Sequence, residues 1–150
     1  MSTTNKIFLD SSVLVEALKG NKANFFKNVI SNRNNNCCIN ETVLSEYLFF
    51  IIGFNGGASP RTLKEKTAIP QILINSQNVT SVLTDFSFLT TSSSLLNIVP
   101  HLMQKYNLLP NDAIILATCK IHNITKLASH DSDFVAPCSA EGIELLSEEF

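Results

Sequence analysis

The chain has 150 residues, of which 45% are hydrophobic and 16% are charged. This length and composition fit one compact domain that buries roughly 70% of the surface of its unfolded chain. Because 11 basic and 13 acidic residues leave a net charge of −2, the protein has no general positive field, and any polyanion would have to be held locally.

The first half of the chain alternates short apolar runs with segments of helical spacing. The predicted elements, in chain order, are a strand at 6–10, a helix at about 13–19, a helix at 22–31, a strand at 37–40 and a helix at about 42–52. Gly20 ends the first helix, and Asn40 or Thr42 caps the last one. Asp10 therefore stands at the carboxyl end of a strand.

Glycine and proline interrupt the middle of the chain. Residues 53–60 predict a flexible break, and residues 61–75 predict a helix that Pro70 kinks or divides. A third strand is predicted at 86–89, followed by a helix at 92–106 that contains Pro100.

The last part of the chain returns to alternating elements. Pro110 opens a helix that runs to about His122, with Asn111 as its candidate cap, Asp112 in its first turn and Asn123 as a left-handed stop. The remaining predicted elements are a strand at 125–129, a polar turn at 130–134 and a strand at 143–146. Strands that alternate with helices predict an α/β fold, in which helices cover both faces of a parallel sheet of four to five short strands.

Two observations bear on the location of the protein. The first apolar run is interrupted by Asp10 and has no basic flank, so we expect no signal peptide and a cytoplasmic protein. The longest uncharged stretch, residues 47–60, is broken by glycines and is too short to cross a bilayer as a helix. We therefore expect no membrane segment.

Four carboxylates stand nearly alone beside apolar runs: Asp10, Glu46, Asp112 and Asp131. A carboxylate in apolar surroundings must be protonated, paired or bound to a cation. Ligands gather outside the carboxyl ends of parallel strands, where Asp10 and Asp131 are placed. Glu46 and Asp112 lie in early turns of helices that begin on the same side, so we expect the four carboxylates to converge.

Convergence of these acids predicts a shared cation. Like charges about 4 Å apart repel by several kcal/mol, and a bound cation reverses that energy. Oxygen ligands without histidine or cysteine favour Mg²⁺ or Mn²⁺, and one or two ions fit this number of acids. Such ions activate a water and neutralise charge on a leaving oxygen, which is the chemistry of phosphodiester hydrolysis.

Each acid also has a purely structural explanation. Asp10 is able to cap the helix that follows it, and Asp112 interacts favourably with the dipole of its helix. Asp131 and Asp133 form turns through their side-chain oxygens. Glu46 resists such an explanation best because its helix face is otherwise apolar, although a distant lysine could pair with it.

Three further groups of residues have a functional and a structural interpretation, and the structural one is favoured for each. The functional roles would be a general base for His130, a phosphate-binding face for Arg61, Lys64 and Lys66, and a partner surface for Phe49, Phe50 and Phe54. The structural readings are a solvated turn residue for His130, a solvated helix face for Arg61, Lys64 and Lys66, and core packing for Phe49, Phe50 and Phe54.

Four blocks of the chain, taken in order, resemble the signature of PIN-domain nucleases. The blocks are IFLDSSVL at 7–14, VLSE at 43–46, LPNDAIILA at 109–117 and LASHDSDF at 127–134. Each block alone is weakly specific, but their order and spacing span nearly the whole chain. In size the chain is most similar to the toxin branch of the family, the VapC-like ribonucleases.

The resemblance implies a three-layer α/β/α fold, RNA cleavage that depends on Mg²⁺ or Mn²⁺, a homodimer and inhibition by a small antitoxin. By motif, Asp10 and Asp112 would be the principal metal ligands, Glu46 a ligand or an orienter of metal-bound water, and Asp131 the fourth acid. The resemblance also places supporting residues at Ser12 and Ser129, whose hydroxyls would hold the carboxylates, and at Asp133.

Two points of the resemblance stay open. Asp133 duplicates Asp131 and either could be the last acid, but Asp131 is preferred because it lies nearer the strand end. Residues 53–79 match none of the family's motifs, so the RNA target is unassigned.

Three hypotheses follow from these observations. The first is a metal-dependent endoribonuclease of the toxin type, and the second is a catalytically silent PIN-like module that binds RNA or protein. The presence of all four acids argues against the second. The third is a phosphatase or receiver domain, but Ser12 stands where such a phosphatase needs a second aspartate, and a receiver carries its phosphorylated aspartate on a later strand.

Overall fold

The structure, a computed structural model, describes residues 4–148. At its centre lies a five-stranded sheet formed by β1 (Asn5–Leu9), β2 (Asn35–Ile39), β3 (Ser87–Phe88), β4 (Lys126–Ala128) and β5 (Glu144–Leu146). The strands pair in parallel in the order β3-β2-β1-β4-β5. The predicted parallel α/β sheet is therefore confirmed.

Helices connect the strands and form the outer layers. They are α1 (Ser11–Leu18), α2 (Ala23–Ser31), α3 (Glu41–Gly56), α4 (Pro60–Glu65), α5 (Ile69–Asn75), α6 (Gln77–Thr80), α7 (Leu95–Tyr106), α8 (Pro110–Ile121) and α9 (Val135–Glu141). Right-handed crossovers place α1–α6 on one face of the sheet and α7–α9 on the other. The contacts agree, because α3 packs on α1, α4 and α5, whereas α7 packs on α8.

The strand order creates a switch point beside β1. The chain proceeds from β1 outward to β2 and β3 on one side, then returns to add β4 and β5 on the other. Phe8 of β1 lies opposite Cys38 of β2 and Leu127 of β4. Open α/β sheets bind ligands where the winding reverses, at the carboxyl ends of the strands. In this chain that position is the end of β1 and β4.

The core lies between the sheet and its helices. Phe8 and Leu127 from the strands are fully buried. On α3 the buried side chains are Val43, Tyr47 and Ile51, which recur every four residues as one face of a helix requires. Among residues 4–148, no helix combines the length and apolar character needed to span a bilayer.

Several helix boundaries differ from the prediction. The helix predicted at 13–19 begins at Ser11, and Asn123 ends α8 with a φ of 53° as expected. Pro110 occupies the first position of α8 and Leu109 precedes it, so Asn111 lies inside the first turn and is not the cap. Proline is favoured at that first position because its missing N–H would be unpaired there anyway.

The predicted break at 53–60 is shorter than expected, because α3 continues through Gly53 to Gly56. The predicted helix at 61–75 is two helices separated by residues 66–68, and Thr67 adopts a φ of 56°. Pro70 stands in the first turn of α5, so of the two predicted alternatives the helical segment is divided and not kinked. The helix α9, which lies between the predicted turn and the last strand, was not predicted.

Candidate active site

Asp10 is the buried acid of the switch point. It follows β1, precedes α1 and is only 4% exposed. Its Oδ2 accepts hydrogen bonds from Ser12 Oγ at 2.6 Å and from Ser129 Oγ at 2.7 Å. Its side chain makes no capping bond to α1 within the described chain. The capping explanation of Asp10 is therefore wrong, and its carboxylate is held by hydroxyls from two different segments.

Each of the two serine hydroxyls donates its single proton to Asp10 Oδ2. Ser12 Oγ accepts from the His130 amide at 3.0 Å, and Ser129 Oγ accepts from the Asp131 amide at 3.0 Å. Because both hydroxyl protons point to Asp10 Oδ2, the 3.3 Å contact between the two Oγ atoms is not a hydrogen bond. Among residues 4–148 no hydrogen bond reaches Oδ1, so this oxygen is available to a cation.

Glu46 reaches the site from the second turn of α3. Ser11 Oγ donates to Glu46 Oε1 at 3.3 Å. Burial, followed by the charge of Asp10, raises the pKa of Glu46, while the side chains of Asn111 and Ser11 act in the opposite direction. The ion pairs among the described residues join lysine or arginine to Glu16, Glu65 and Glu141, so the distant lysine considered for Glu46 is not found there.

Asp112 lies in the first turn of α8, where Pro110 begins the helix. Its pKa is raised to about 7, mainly by burial and then by the charges of the neighbouring acids in the order Asp131, Asp10, Glu46 and Asp133. The helix dipole alone would lower this pKa. The charges of Asp131, Asp10 and Glu46 therefore act on Asp112 and disfavour its ionised form.

Asp131 and Asp133 follow β4 and complete the acidic cluster. One carboxylate oxygen from each of Asp112, Asp131 and Asp133 lies within 4.8 Å of the other two. Asp131 Oδ1 also accepts from the Asp133 amide at 2.9 Å, so the turn-forming explanation holds alongside the clustering. Asp133 is exposed and Asp131 is half-buried. The preference for Asp131 as the last acid stays a prediction.

The sequence resemblance identified Ser12 and Ser129, which hold Asp10, but sequence reasoning missed the polar residues that orient Glu46. Ser11 and Asn111 act on Glu46, and they stand directly beside Asp10 and Asp112 in the quoted blocks. That adjacency was the one signal available. Asn40 was assigned only as a cap, yet its Nδ2 also donates to Thr118 Oγ1 at 2.9 Å.

Two of the favoured structural readings are wrong. His130 is half-buried rather than solvated: its ring lies 5.1 Å from that of Phe25, its Nδ1 is 3.1 Å from Ser147 Oγ, and burial lowers its pKa. Phe49 and Phe54 are 63% and 52% exposed and do not belong to the core. Arg61 is solvated as expected, with a side chain that is 91% exposed.

The fold and the site together define a doubly wound α/β protein with a carboxylate cluster at its switch point. The sequence profile of the PIN domain family matches residues 7–138. Ribonuclease VapC2 of Methanocaldococcus jannaschii is 36% identical over 94% of this chain and 95% of its own, and Ribonuclease VapC6 of the same organism is 34% identical over 99% and 100%. The chain therefore belongs to the PIN domain family, and the resemblance found in the four blocks is confirmed.

Solved structures share this fold. A toxin–antitoxin complex from Klebsiella pneumoniae superimposes with a TM-score of 0.60 at 20% identity, covering 86% of this chain and 90% of that one. VapBC2 from Rickettsia felis, bound to a DNA fragment from its promoter, superimposes with a TM-score of 0.60 at 16% identity, covering 95% and 98%. At these identities the likeness concerns the fold alone.

Proposed function

We propose that the protein is a metal-dependent endoribonuclease and the toxin of a toxin–antitoxin pair. The observation that carries the proposal is the convergence of Asp10, Glu46, Asp112 and Asp131 at the switch point, in a chain that belongs to the PIN domain family. Relatives that are 34–36% identical over nearly the full length are named ribonucleases, which supports RNA as the substrate.

The donor set fits Mg²⁺ or Mn²⁺. The clustered ligands are all carboxylate oxygens, which hard divalent cations prefer, and both burial and the charges of neighbouring acids disfavour an uncompensated charge on Asp112. Asp10 through its free oxygen, Glu46, Asp112 and Asp131 or Asp133 would hold one or two ions. When bound, such an ion polarises the phosphodiester and offsets the charge that develops on the leaving oxygen.

The chain's own residues have distinct parts in this proposal. Ser12 and Ser129 fix the carboxylate of Asp10 through Oδ2. Ser11 holds Glu46, whose raised pKa suits a group that takes a proton from the attacking water. Asp112 experiences the charges of Asp131, Asp10, Glu46 and Asp133.

The proposed partners are a small antitoxin protein and a second copy of this chain. The structural neighbours from Klebsiella pneumoniae and Rickettsia felis were solved as toxin–antitoxin assemblies, which supports an antitoxin. The homodimer follows from the family resemblance.

RNA cleavage by the purified protein tests the proposal. We expect cleavage with Mg²⁺ or Mn²⁺, none in EDTA, and none from Asp10→Asn or Asp112→Asn. Asp85→Asn is the matched control, because Asp85 is an exposed aspartate outside the cluster. Metal-independent RNA binding without cleavage would instead identify the chain as a silent binding module.

A further inference from the structure

Two buried polar side chains outside the acidic cluster join the helices that carry Glu46 and Asp112. Asn40, at the start of α3, is 3% exposed, and Thr118, within α8, is fully buried. Asn40 Nδ2 donates to Thr118 Oγ1 at 2.9 Å. These two helices also contact each other directly.

The hydrogen bond between Asn40 and Thr118 forms a bridge between α3 and α8, and this bridge has only one possible arrangement of donors and acceptors. Thr118 Oγ1 donates its single proton to the Ile114 carbonyl at 2.7 Å, so it must accept from Asn40. Asn40 Oδ1 accepts from the Val43 amide at 3.1 Å. Flipping the Asn40 amide would set donor against donor at Val43. The two side chains therefore link the backbone of α3 to that of α8 directly.

Both carboxylates lie at the same distance from the bridge along their helices. Glu46 is six residues beyond Asn40, and Asp112 is six residues before Thr118, which is about 9 Å along each helix axis. The charge of Glu46 raises the pKa of Asp112, so the two carboxylates lie close enough to interact. The bridge and the interaction between the acids thus both connect α3 with α8. A shift of one helix relative to the other at the bridge therefore changes the separation of Glu46 and Asp112.

We propose that Asn40 and Thr118 are positioning residues, whose buried hydrogen bond holds Glu46 and Asp112 at the separation at which they share a divalent cation. The inference rests on the proposed metal site. The repulsion between the acids pushes α3 and α8 apart in the absence of metal, and the bridge opposes that movement. Partners that orient ligating residues in this way typically change metal affinity by about 10–100-fold when removed.

Calorimetric titration of the full chain with Mn²⁺ tests the proposal. Thr118→Val keeps the shape of the side chain but removes the acceptor, and we expect Mn²⁺ affinity to fall by about tenfold or more. Thr118→Ser keeps the hydroxyl and should bind close to the wild type. Ile115→Val removes a methyl from a fully buried residue of the same helix, and we expect it to lower the melting temperature while leaving Mn²⁺ affinity unchanged.

Other outcomes overturn the inference. If Thr118→Val binds Mn²⁺ with wild-type affinity, or if Ile115→Val loses as much Mn²⁺ affinity as Thr118→Val does, the bridge stabilises the fold but does not position the acids. If Thr118→Val does not fold, Asn40→Ser keeps a capping oxygen on α3 but is too short to reach Thr118, and the same affinity loss is expected.

A second measurement separates this inference from the proposed function. In EDTA, the non-additivity of the melting temperatures of Glu46→Gln and Asp112→Asn reports the repulsion between these acids. We expect it to be smaller in the Thr118→Val background than in the wild type. If the wild type binds no Mn²⁺, the metal site is wrong, and unchanged non-additivity would still refute the positioning role.

Discussion

Asp112 bears the largest electrostatic cost of the acidic cluster. Its pKa rises from the ordinary 3.8 to about 7, first because it is buried and then because Asp131, Asp10 and Glu46 repel its charge. The folded protein therefore binds a proton at Asp112 that the unfolded chain has already released. This difference makes the stability of the metal-free protein depend on pH.

The sign of that dependence gives the first prediction. At low pH Asp112 is protonated in both states, and as pH rises from about 4 to about 7 the unfolded chain releases this proton while the folded protein keeps it, so the folded state loses stability. After solvent screening we expect a cost on the order of 2 kcal/mol. Metal-free Asp112→Asn should therefore match the wild type near pH 4 and melt about 4–8 °C higher at pH 8.

Thermal unfolding in EDTA across this pH range provides the measurement for Asp112→Asn. Adding Mn²⁺ should raise the melting temperature of the wild type and leave that of the variant nearly unchanged. A variant that melts below the wild type at pH 8 would show that the Asp112 charge stabilises its helix instead.

Asp10 gives the second prediction, because its role in the fold and its role at the site use different oxygens. Asp10→Asn keeps an oxygen for the hydroxyls of Ser12 and Ser129, so metal-free stability should stay near that of the wild type. Asp10→Ala leaves both hydroxyls without their acceptor and should cost about 2 kcal/mol. Both variants should lose Mn²⁺ binding and RNA cleavage. Equal destabilisation by the two changes, measured by denaturant unfolding, would contradict this separation of roles.

The acids, and the serines that hold Asp10, could be predicted from the sequence and its resemblance, whereas the polar residues that link α3 to α8 could not. Asp10, Glu46 and Asp112 are conspicuous because a lone charge in an apolar run needs compensation. Asn40 and Thr118 are ordinary polar residues in the sequence, and their contact joins positions 78 residues apart. Asn40 and Thr118 meet only because α3 packs against α8, and the spacing of residues in the sequence does not indicate this packing.

At the level of secondary structure, the junction of α3 with α4 and α5 depends on Gly56. A Cβ added there would overlap a methyl of Leu63 and lie 2.8 Å from Ile72 Cδ1. Leu63 is buried and has little room to move. The close approach of these helices therefore requires the absence of a side chain at this position.

Substitution of the two helical glycines gives the third prediction. Gly56→Ala should lower stability by about 1 kcal/mol or more, because the overlap outweighs the gain in helix propensity. Gly53→Ala is the matched control, since its Cβ would meet only ordinary contacts at 3.5 Å. That change should be neutral or stabilising by about 0.5–1 kcal/mol. Chemical denaturation compares them, and equal effects would refute the packing argument.

The elements that were predicted well had strong local signals. Gly20 and Asn123 end their helices with positive φ values, as residues that tolerate this conformation do. The position of the break before Pro70 was missed because proline starts helices as readily as it interrupts them. The helix α9 was missed because it has seven residues, of which only Pro137 and Cys138 are buried, too few to form a period.

For the molecule as a whole, two acids at different places respond to pH in opposite directions. Glu141 of α9 accepts hydrogen bonds from Lys120 of α8 and from Tyr106 of α7, and these lower its pKa to about 2. Its contribution is present above pH 4.5 and is lost as pH falls through 2. The contribution of Asp112 is lost as pH rises towards 7. These two groups together place the highest metal-free stability near pH 4–5.

The fourth prediction concerns this second group. Glu141→Gln should lower the free energy of unfolding at pH 7 by about 1 kcal/mol. The variant loses the negative charge that accepts hydrogen bonds from α7 and α8, and solvent partly screens that charge in the wild type. The difference should vanish near pH 2, where the wild-type carboxylate is itself protonated. Glu144→Gln, at an exposed site on β5, is the control. A constant difference at both pH values, followed by circular dichroism, would show that packing and not charge explains the loss.

The hydrogen bond from Ser129 to Asp10 spans 119 positions of the chain, so the acids of α8 and those that follow β4 are synthesised well after Asp10. A growing polypeptide therefore displays Asp10 and Glu46 long before their counterparts exist. Under the proposed function, the ribosome translating this chain would be spared from its own product until Asp112 and Asp131 have also been synthesised.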